Sequence, residues 1–186
     1  MSWQRRILRV NLTDGTHAVE PLNMEWANLY IGERGLASKY LSEEMDPKAD
    51  ALGPENKIIF ATGPLTGTCA STGGRYSVIT KGPLTGAIAC SNSGGFIGAE
   101  IKNAGWDMVI VEGKSEKPVY LLIENDNARL LDASEYWGTS VWDTEEGIKK
   151  KHNDPHIRVA SIGISGEQGV KFACVVNDMD RAAGRS

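Results

Sequence analysis

Residues 58–95 read IIFATGPLTGTCASTGGRYSVITKGPLTGAIACSNSGG, and this stretch decides the fold. Short apolar runs alternate in it with glycine-rich turns, which predicts strands over residues 58–62 and 76–80. The turn Gly-Pro-Leu-Thr-Gly occurs twice, at residues 63–67 and 82–86, and each copy is followed by a double glycine. Short strands joined by tight turns favour an α+β fold with a mixed or antiparallel sheet over a regular βαβ series.

The sequence on either side adds further strands and a few short helices. Leu8 and Val10 alternate with polar residues ahead of an Asp14-Gly15 turn, which predicts a hairpin. Asn23 and Ser140 are each suited to cap a helix that follows them. Further strands are predicted around Ile88 and over residues 108–111, 119–123, 128–131, 158–162 and 172–176, and further helices over residues 35–45 and 95–104. The sequence contains no linker, so residues 1–186 are expected to form one domain.

Composition narrows the class of protein. The 186 residues are 41% hydrophobic and 24% charged, which suits one globular core. The net charge of −4 argues against a nucleic-acid partner or an anionic membrane surface. No apolar run approaches the roughly 20 residues that span a bilayer. The three cysteines show no C-x-x-C spacing and are expected to be reduced thiols, which predicts a cytoplasmic location.

The glycine turns are suited to an anionic ligand. Arg75 directly follows Gly73-Gly74, and a guanidinium beside backbone without side chains can bind a phosphate through two hydrogen bonds. Residues 91–95, Ser-Asn-Ser-Gly-Gly, are predicted to open a helix whose free backbone N–H groups would also favour an anion. The pattern matches neither the G-x-G-x-x-G nor the Walker motif, so a nucleotide is not indicated. Two purely structural turns remain the alternative interpretation.

The sequence ends in a second arginine-glycine stretch, Arg-Ala-Ala-Gly-Arg at residues 181–185. Two arginines around a glycine can form another anion site, and a solvated basic tail is the alternative. The sequence given stops at Ser186, in the middle of this motif. We therefore expect the chain to be a truncated part of a longer polypeptide.

Taken in order, these stretches resemble the N-terminal domain of the aldehyde:ferredoxin oxidoreductase family of tungsten-pterin enzymes. The segments that carry the resemblance are residues 7–12, 34–36, 54–57, 61–67, 73–76, 92–95, 111–114 and 181–185. The resemblance covers essentially the whole chain. It implies a two-sheet, β-rich base on which a bis-pyranopterin cofactor of tungsten or molybdenum rests.

The resemblance also implies roles for individual residues. Arg75 would reach a pterin phosphate and lie beside an iron–sulfur cluster. Asn92 and Ala182 would offer their backbone carbonyls to a magnesium ion that bridges the pterin phosphates. The rest of the phosphate site would be lined by Gly94, Arg181, Gly184 and Arg185. No catalytic acid or base is assigned to this segment.

For the whole enzyme, the resemblance implies oxidation of a small aldehyde to a carboxylic acid, with water as the source of oxygen. Electrons would pass through a 4Fe-4S cluster to ferredoxin or to an iron–sulfur electron-transfer subunit. The cluster ligands and the substrate pocket would lie beyond Ser186. We therefore expect the remainder of its own polypeptide as a partner and an isolated chain that is inactive. A homodimer is compatible with the resemblance but is not specified by it.

Three other functions remain alternatives. The same fold can serve another substrate, for example in an acyl-thioester reductase, because the substrate pocket lies elsewhere. A non-catalytic scaffold can keep the fold as well. A serine or cysteine hydrolase could use Ser91, Ser93 or Cys90 on a strand-to-helix turn, although no histidine stands in a recognisable pattern with them.

Overall fold

The computed structural model describes residues 3–178 and 180–184. Its strands are β1 (Arg6–Asn11), β2 (Thr16–Pro21), β3 (Lys57–Thr62), β4 (Tyr76–Lys81), β5 (Ile88–Ser93), β6 (Met108–Glu112), β7 (Val119–Glu124), β8 (Asn127–Asp132), β9 (Ala160–Ser161), β10 (Val176–Asn177) and β11 (Arg181–Ala182). Its helices are α1 (Met24–Tyr30), α2 (Glu33–Glu44), α3 (Ile97–Asn103), α4 (Val141–Lys151) and α5 (Ile164–Glu167), with a 3₁₀ turn at Ser134–Tyr136.

The strands form one large sheet and two small ones among the described residues. The large sheet has the order β2-β1-β6-β3-β4-β5. Strands β1 and β6 are parallel, and every other neighbouring pair is antiparallel. Strands β7 and β8 form a hairpin, and β9, β10 and β11 form a three-stranded sheet. The prediction of an α+β fold with a mixed sheet is confirmed.

The two faces of the large sheet are covered differently. One face packs its alternate residues, such as Ile59 and Ile110, against apolar residues of α1 and α2. The opposite face packs Leu8, Val10 and Val109 against α3 and the β7–β8 hairpin. Beside them it also contacts residues near β10 and β11. The molecule thus has a layer of helices, the large sheet, and a second layer that contains the small sheets.

Several local predictions are confirmed, and their physical causes are visible. The side chain of Asn23 accepts a hydrogen bond from the Trp26 amide at 3.0 Å and begins α1. Ser140 accepts one from the Asp143 amide at 3.1 Å and begins α4. Helix α2 starts two residues earlier than expected and α3 is shorter at both ends.

The predicted strands over residues 158–162 and 172–176 are wrong in extent. Only Ala160–Ser161 and Val176–Asn177 form ladders. The apolar residues that led to these two predictions are explained by burial, because Val159 is buried and Val175 packs against the large sheet. Burial alone produces that pattern, whereas a strand also needs a partner alongside it.

A charge network ties the large sheet to α2. The guanidinium of Arg9 contacts the carboxylates of Glu20, Glu44 and Glu112 at 2.7, 2.9 and 3.3 Å, and Lys57 pairs with Glu112 as well. Burial tends to raise the pKa of Glu112, but the hydrogen bonds and charges of Lys57 and Arg9 outweigh it and leave the pKa lowered.

The network predicts a specific loss of stability in acid. Because the pKa of Glu112 is lower in the folded state than its ordinary value of 4.5, its contribution is complete above that pH and is lost as the pH falls through the lowered pKa. Glu112→Gln should therefore reduce the free energy of unfolding by about 1 kcal/mol at pH 7. The difference from the wild type should shrink below pH 4.5, as measured by urea unfolding. A difference that stays constant down to pH 3 would contradict the network's role.

None of the helices within the described ranges is long and apolar enough to cross a bilayer.

Candidate functional site

The two Gly-Pro-Leu-Thr-Gly turns lie at opposite ends of strand β4. The first turn, residues 63–67, follows β3, whose last residue Thr62 pairs with Tyr76 at the start of β4. The second turn, residues 82–86, follows the end of β4 at Lys81. Six residues of strand separate the two ends by about 17–20 Å. Only the first turn therefore lies near Arg75, and a contribution of the second turn to the same anion seat stays an untested prediction.

The first turn fixes the backbone at Arg75. The hydroxyl of Thr66 donates to the Arg75 carbonyl at 3.1 Å and accepts from the Gly63 amide at 2.9 Å. Arg75 is exposed, and its guanidinium donates to the side-chain oxygen of Asn92 on the neighbouring strand. Strand pairing sets this contact, since Asn92 lies opposite Ser77 in the β4–β5 register.

The C-terminal segment closes the site from the other side. Asn92 and Gly184 form an antiparallel bridge, in which each amide donates to the other carbonyl at 3.0 and 3.2 Å. Asn177 donates to the Gly94 carbonyl at 2.9 Å, and Ser93 lies within 3.4 Å of the Arg181 carbonyl. Residues almost 90 positions apart are therefore held at one end of the large sheet.

This geometry brings together most of the residues predicted for the site. Arg75 contacts Asn92, and the side chain of Arg181 lies 3.7 Å from where a side chain on Gly94 would begin. Ala182 belongs to β11, two residues before the bridge at Gly184, and is exposed. The seventh predicted residue, Arg185, lies outside the described residues. We call the group of Arg75, Asn92, Gly94, Arg181, Ala182 and Gly184 the arginine seat.

The arginines of the seat make no ion pair within 4.0 Å in the described part of the chain, although the carboxylate of Glu33 is near enough to interact electrostatically with Arg75 and Arg34. Arg75, Arg181 and the neighbouring Arg34 are exposed, and none forms an ion pair there. Arg6, Arg9, Arg129 and Arg158, by contrast, all contact a carboxylate within 4.0 Å. Exposed guanidinium groups without a contacting carboxylate, beside a glycine-lined backbone, are the arrangement expected of an anion site.

The predicted helix start at residues 91–95 is wrong. Residues up to Ser93 belong to β5, and α3 begins only at Ile97. The amide of Phe96, which precedes the helix, donates to the carboxylate of Asp178 at 2.8 Å. A protein carboxylate thus occupies this helix end, and the seat depends on arginines and β-strand backbone instead.

Two groups at the site were missed in the sequence analysis. Glu33 begins α2 with a φ of +42° and accepts a hydrogen bond from Ser77 at 3.2 Å. Burial raises its pKa, an effect that Ser77, Arg75 and Arg34 only partly offset. The Gly-Glu-Arg-Gly sequence at residues 32–35 was a usable signal for this position.

The second missed group is Asn177 with its neighbour Asp178. The hydroxyl of Tyr76 donates to Asn177 at 2.9 Å, and Asn177 in turn binds Gly94 and Asp178. Burial, with the charge of Asp178, raises the pKa of Tyr76 far above its ordinary value, so the phenol stays protonated and donating. Nothing in the local sequence marks Asn177, because its partners Tyr76 and Gly94 are about 80 to 100 residues away.

The nucleophilic side chains do not form a catalytic group. Cys69 and Cys174 are exposed and Cys90 is half-buried. Within residues 3–178 and 180–184, no three His, Cys, Asp or Glu side chains are placed to hold a metal ion. Ser93 is buried and has only backbone carbonyls as hydrogen-bond partners. None of these three observations supports a hydrolase.

The chain is similar to known proteins in sequence and in structure. The sequence model described as "Aldehyde ferredoxin oxidoreductase, N-terminal domain" matches residues 7–186. A tungsten-containing aldehyde ferredoxin oxidoreductase of Pyrococcus abyssi is 57% identical over 180 residues, which are 97% of this chain and 30% of that protein. The aliphatic sulfonate oxidoreductase, WOR-like subunit, of Pyrococcus furiosus is 32% identical over 198 residues, or 98% of this chain and 31% of that protein.

A solved structure shares the fold. It is the active-site complex BamBC of benzoyl coenzyme A reductase with 1,5-dienoyl-CoA, which matches with a TM-score of 0.96 and 38% identity. The match covers 99% of this chain and 28% of that one. This chain thus spans less than a third of the length of the relatives it matches.

Proposed function

The chain belongs to the aldehyde ferredoxin oxidoreductase family, and from this premise we propose that residues 1–186 form the N-terminal, cofactor-seating domain of a tungsten-dependent oxidoreductase. The observation that carries the proposal is the arginine seat, whose exposed guanidinium groups make no ion pair within 4.0 Å among the described residues. The tungsten enzymes among the relatives indicate the metal, and the family indicates a pterin with phosphate groups.

The residues of the seat fit such phosphates. Arg75 and Arg181 would each donate two parallel hydrogen bonds to phosphate oxygens. Gly94 and Gly184 leave the backbone open for close approach of a large ligand. Asn92, held by its bridge to Gly184, would keep the guanidinium of Arg75 directed along the seat. Arg185 is proposed as a further phosphate contact.

A magnesium ion is compatible with the same residues. The Asn92 carbonyl already accepts a hydrogen bond from Gly184 at 3.2 Å, but a carbonyl oxygen has two lone pairs and can bind a cation with the second. Hard oxygen ligands of this kind suit Mg²⁺. We propose that the backbone carbonyls of Asn92 and Ala182 are ligands of this magnesium ion.

The cofactor would supply the redox chemistry, in which an aldehyde is oxidised to a carboxylic acid with water as the source of oxygen. This chain neutralises the phosphate charge and provides a rigid floor. The cluster that removes electrons and the substrate pocket are proposed to belong to the rest of the polypeptide, and ferredoxin or an iron–sulfur subunit would receive the electrons as a separate partner. The chain by itself is expected to be inactive.

Another substrate within the family is the second candidate. The benzoyl coenzyme A reductase complex shares this fold with 38% identity, and its structure contains 1,5-dienoyl-CoA, a coenzyme A thioester. The higher identity of 57% to aldehyde oxidoreductases favours the aldehyde. Substrate oxidation assays on the longer polypeptide, with aldehydes and acyl thioesters in parallel, distinguish the two.

The seat is tested by Arg75→Ala in the longer polypeptide that carries this chain. We expect retained tungsten and pterin phosphate to fall roughly tenfold or more, because a charge-assisted contact of about 1.5–3 kcal/mol is lost. Metal analysis and phosphate release measure the loss without an activity assay. Arg129→Ala is the matched control, since Arg129 is an exposed arginine on β8 that pairs with Glu124. Full retention in Arg75→Ala would contradict the proposed seat.

A further inference from the structure

A buried carboxylate lies beside the arginine seat. The side chain of Asp178 is only 8% exposed, and its Oδ2 accepts hydrogen bonds from the Phe96 amide at 2.8 Å and from Nδ2 of Asn177 at 2.7 Å. Asp178 has a φ of +46°, a conformation that residues other than glycine adopt rarely and that these hydrogen bonds help to hold. The turn at Gly94 and Gly95, which Phe96 follows, is therefore fixed by a group with a negative charge.

This negative charge is close to Arg181 of the seat. Oδ2 of Asp178 and Cδ of Arg181 both lie within 2.9 Å of the point where a side chain on Gly95 would begin. The two side chains nevertheless form no ion pair within 4.0 Å in the described part of the chain. A guanidinium and a carboxylate at such a short distance attract each other strongly. If they paired, the N–H groups of Arg181 would no longer be free to bind a phosphate.

Arg158 supplies the opposite charge to Asp178. Its Nη1 lies 3.7 Å from Oδ1 of Asp178, and its Cζ lies 4.3 Å from the centre of the Phe96 ring, which attracts the cation. A separation of 3.7 Å is too long for a hydrogen bond, and Arg158 Nε and Asp178 Oδ1 are buried without a hydrogen-bond partner among the described residues. Buried polar atoms of this kind cost stability. The pair is therefore poorly explained by a contribution to the stability of the fold.

We propose that Arg158 is a positioning residue of the arginine seat, which compensates the charge of Asp178 so that the guanidinium of Arg181 stays free for an anionic ligand. The attraction between Asp178 and Arg181 is weaker when a second cation already lies beside the carboxylate, because like charges on the two arginines oppose each other. Arg158 does not need to touch the ligand, since it acts through Asp178. The inference rests on the proposed function, in which Arg181 binds the phosphates of the cofactor.

Arg158→Met in the longer polypeptide that carries this chain tests the role of the positive charge. Methionine has an unbranched side chain without the charge, so Asp178 should pair with Arg181 instead. Retained tungsten and pterin phosphate should then fall about tenfold, as expected for the loss of one charge-assisted contact to the ligand. Metal analysis and phosphate release measure this loss without an activity assay. Retention equal to that of the wild type would overturn the proposal.

Arg6→Met is the matched control for Arg158→Met. Arg6 also lies over an aromatic ring, with its Cζ 4.3 Å from the centre of the Trp106 ring, and it also pairs with an aspartate, Asp126. It belongs to β1, however, which is four strands away from β5 in the large sheet, a distance of about 19 Å. Retained phosphate in Arg6→Met should therefore equal that of the wild type. A loss as large as in Arg158→Met would contradict a role specific to the seat.

A second substitution separates positioning from a general loss of structure. Asp178→Asn, added to Arg158→Met, removes the charge that would attract Arg181, while the side-chain oxygen can still accept from the Phe96 amide. The double variant should regain retained phosphate to within about twofold of the wild type, and Arg158→Lys, which keeps the charge, should behave in the same way. The double variant remains decisive if Arg158→Met is too unstable to purify. Low retention in the double variant would overturn the proposal, because Arg158 would then be needed for another reason.

Failure of this inference is distinguishable from failure of the proposed function. Arg75→Ala tests the seat itself, and Arg75 contacts Asn92 rather than Asp178. Loss of cofactor in Arg75→Ala together with full retention in Arg158→Met would keep the seat and reject the role of Arg158. Full retention in both variants would reject the seat as well.

Discussion

Lys102→Met should lower the free energy of unfolding by about 3–5 kcal/mol, which is among the largest effects expected of a single substitution here. The side chains of Lys102 and Asp107 form an ion pair and are only 5% and 3% exposed. Asp107 also accepts hydrogen bonds from the amides of Gln4 and Arg5 at 3.0 and 2.6 Å. Methionine at position 102 would leave the carboxylate of Asp107 buried without a cation. Urea unfolding measures this loss: the midpoint should fall, while the dependence of the unfolding free energy on urea concentration should not change.

The position of this ion pair explains why the effect should extend to the seat. Asp107 precedes β6, and its carbonyl accepts hydrogen bonds from the amide and hydroxyl of Thr62 at 3.0 and 2.9 Å. Thr62 ends β3 immediately before the first glycine turn. Lys39→Met is the control, because Lys39 also pairs with a carboxylate, Glu43, but on the surface of α2. Losses of equal size in the two variants would contradict a special role for the buried pair.

Gly95→Ala should also be strongly destabilising, by about 2–4 kcal/mol. Gly95 has a φ of +91°, where a side chain is strained. A Cβ at this position would collide with the carboxylate of Asp178 and would lie 2.9 Å from both Cδ of Arg181 and Nδ2 of Asn177. The substitution should therefore displace Arg181 and weaken cofactor retention as well as stability.

Gly86→Ala is the matched control for Gly95→Ala. Its φ of +69° is also in the left-handed region, but no atom lies within 4 Å of where the Cβ would stand. It should lose only the backbone contribution of about 1 kcal/mol. The thermal unfolding midpoint and retained phosphate, measured for both variants, distinguish strain from collision. If the two variants lose the same amount of stability and of retained phosphate, crowding at the seat is not the cause of the loss in Gly95→Ala.

Local chemistry explains which predictions from the sequence succeeded. Asn23 and Ser140 cap helices because each bonds an amide only three residues ahead. The strands around the glycine turns were predictable because alternation and turn residues act within a few positions. Arg75 was selected from the sequence for the same local reason, since a double glycine directly precedes it, and its role stays a prediction. The ends of helices and strands depend on partners farther along the chain, so the predictions of those ends were less accurate.

The failures came from residues whose partners are distant in sequence. The opening of α3 was misplaced because the carboxylate of Asp178 lies 82 positions from the amide that it binds. The repeated turns looked equivalent, but antiparallel pairing of β3, β4 and β5 places them at opposite ends of β4. Glu33 and Asn177 carry no local signal as strong as a glycine-flanked arginine.

The sequence by itself determined the class of fold, the positions of most strands and the presence of motifs rich in arginine and glycine, since these follow from interactions within a few residues. Only the tertiary structure decided which of these motifs meet. The bridge between Asn92 and Gly184 brings the segment that carries Arg181 to the strand whose Asn92 contacts Arg75. Antiparallel pairing places the second Gly-Pro-Leu-Thr-Gly turn at the other end of β4. The reason is physical: a phosphate site needs several donors at one point, and hydrogen bonds between distant strands determine which donors arrive there.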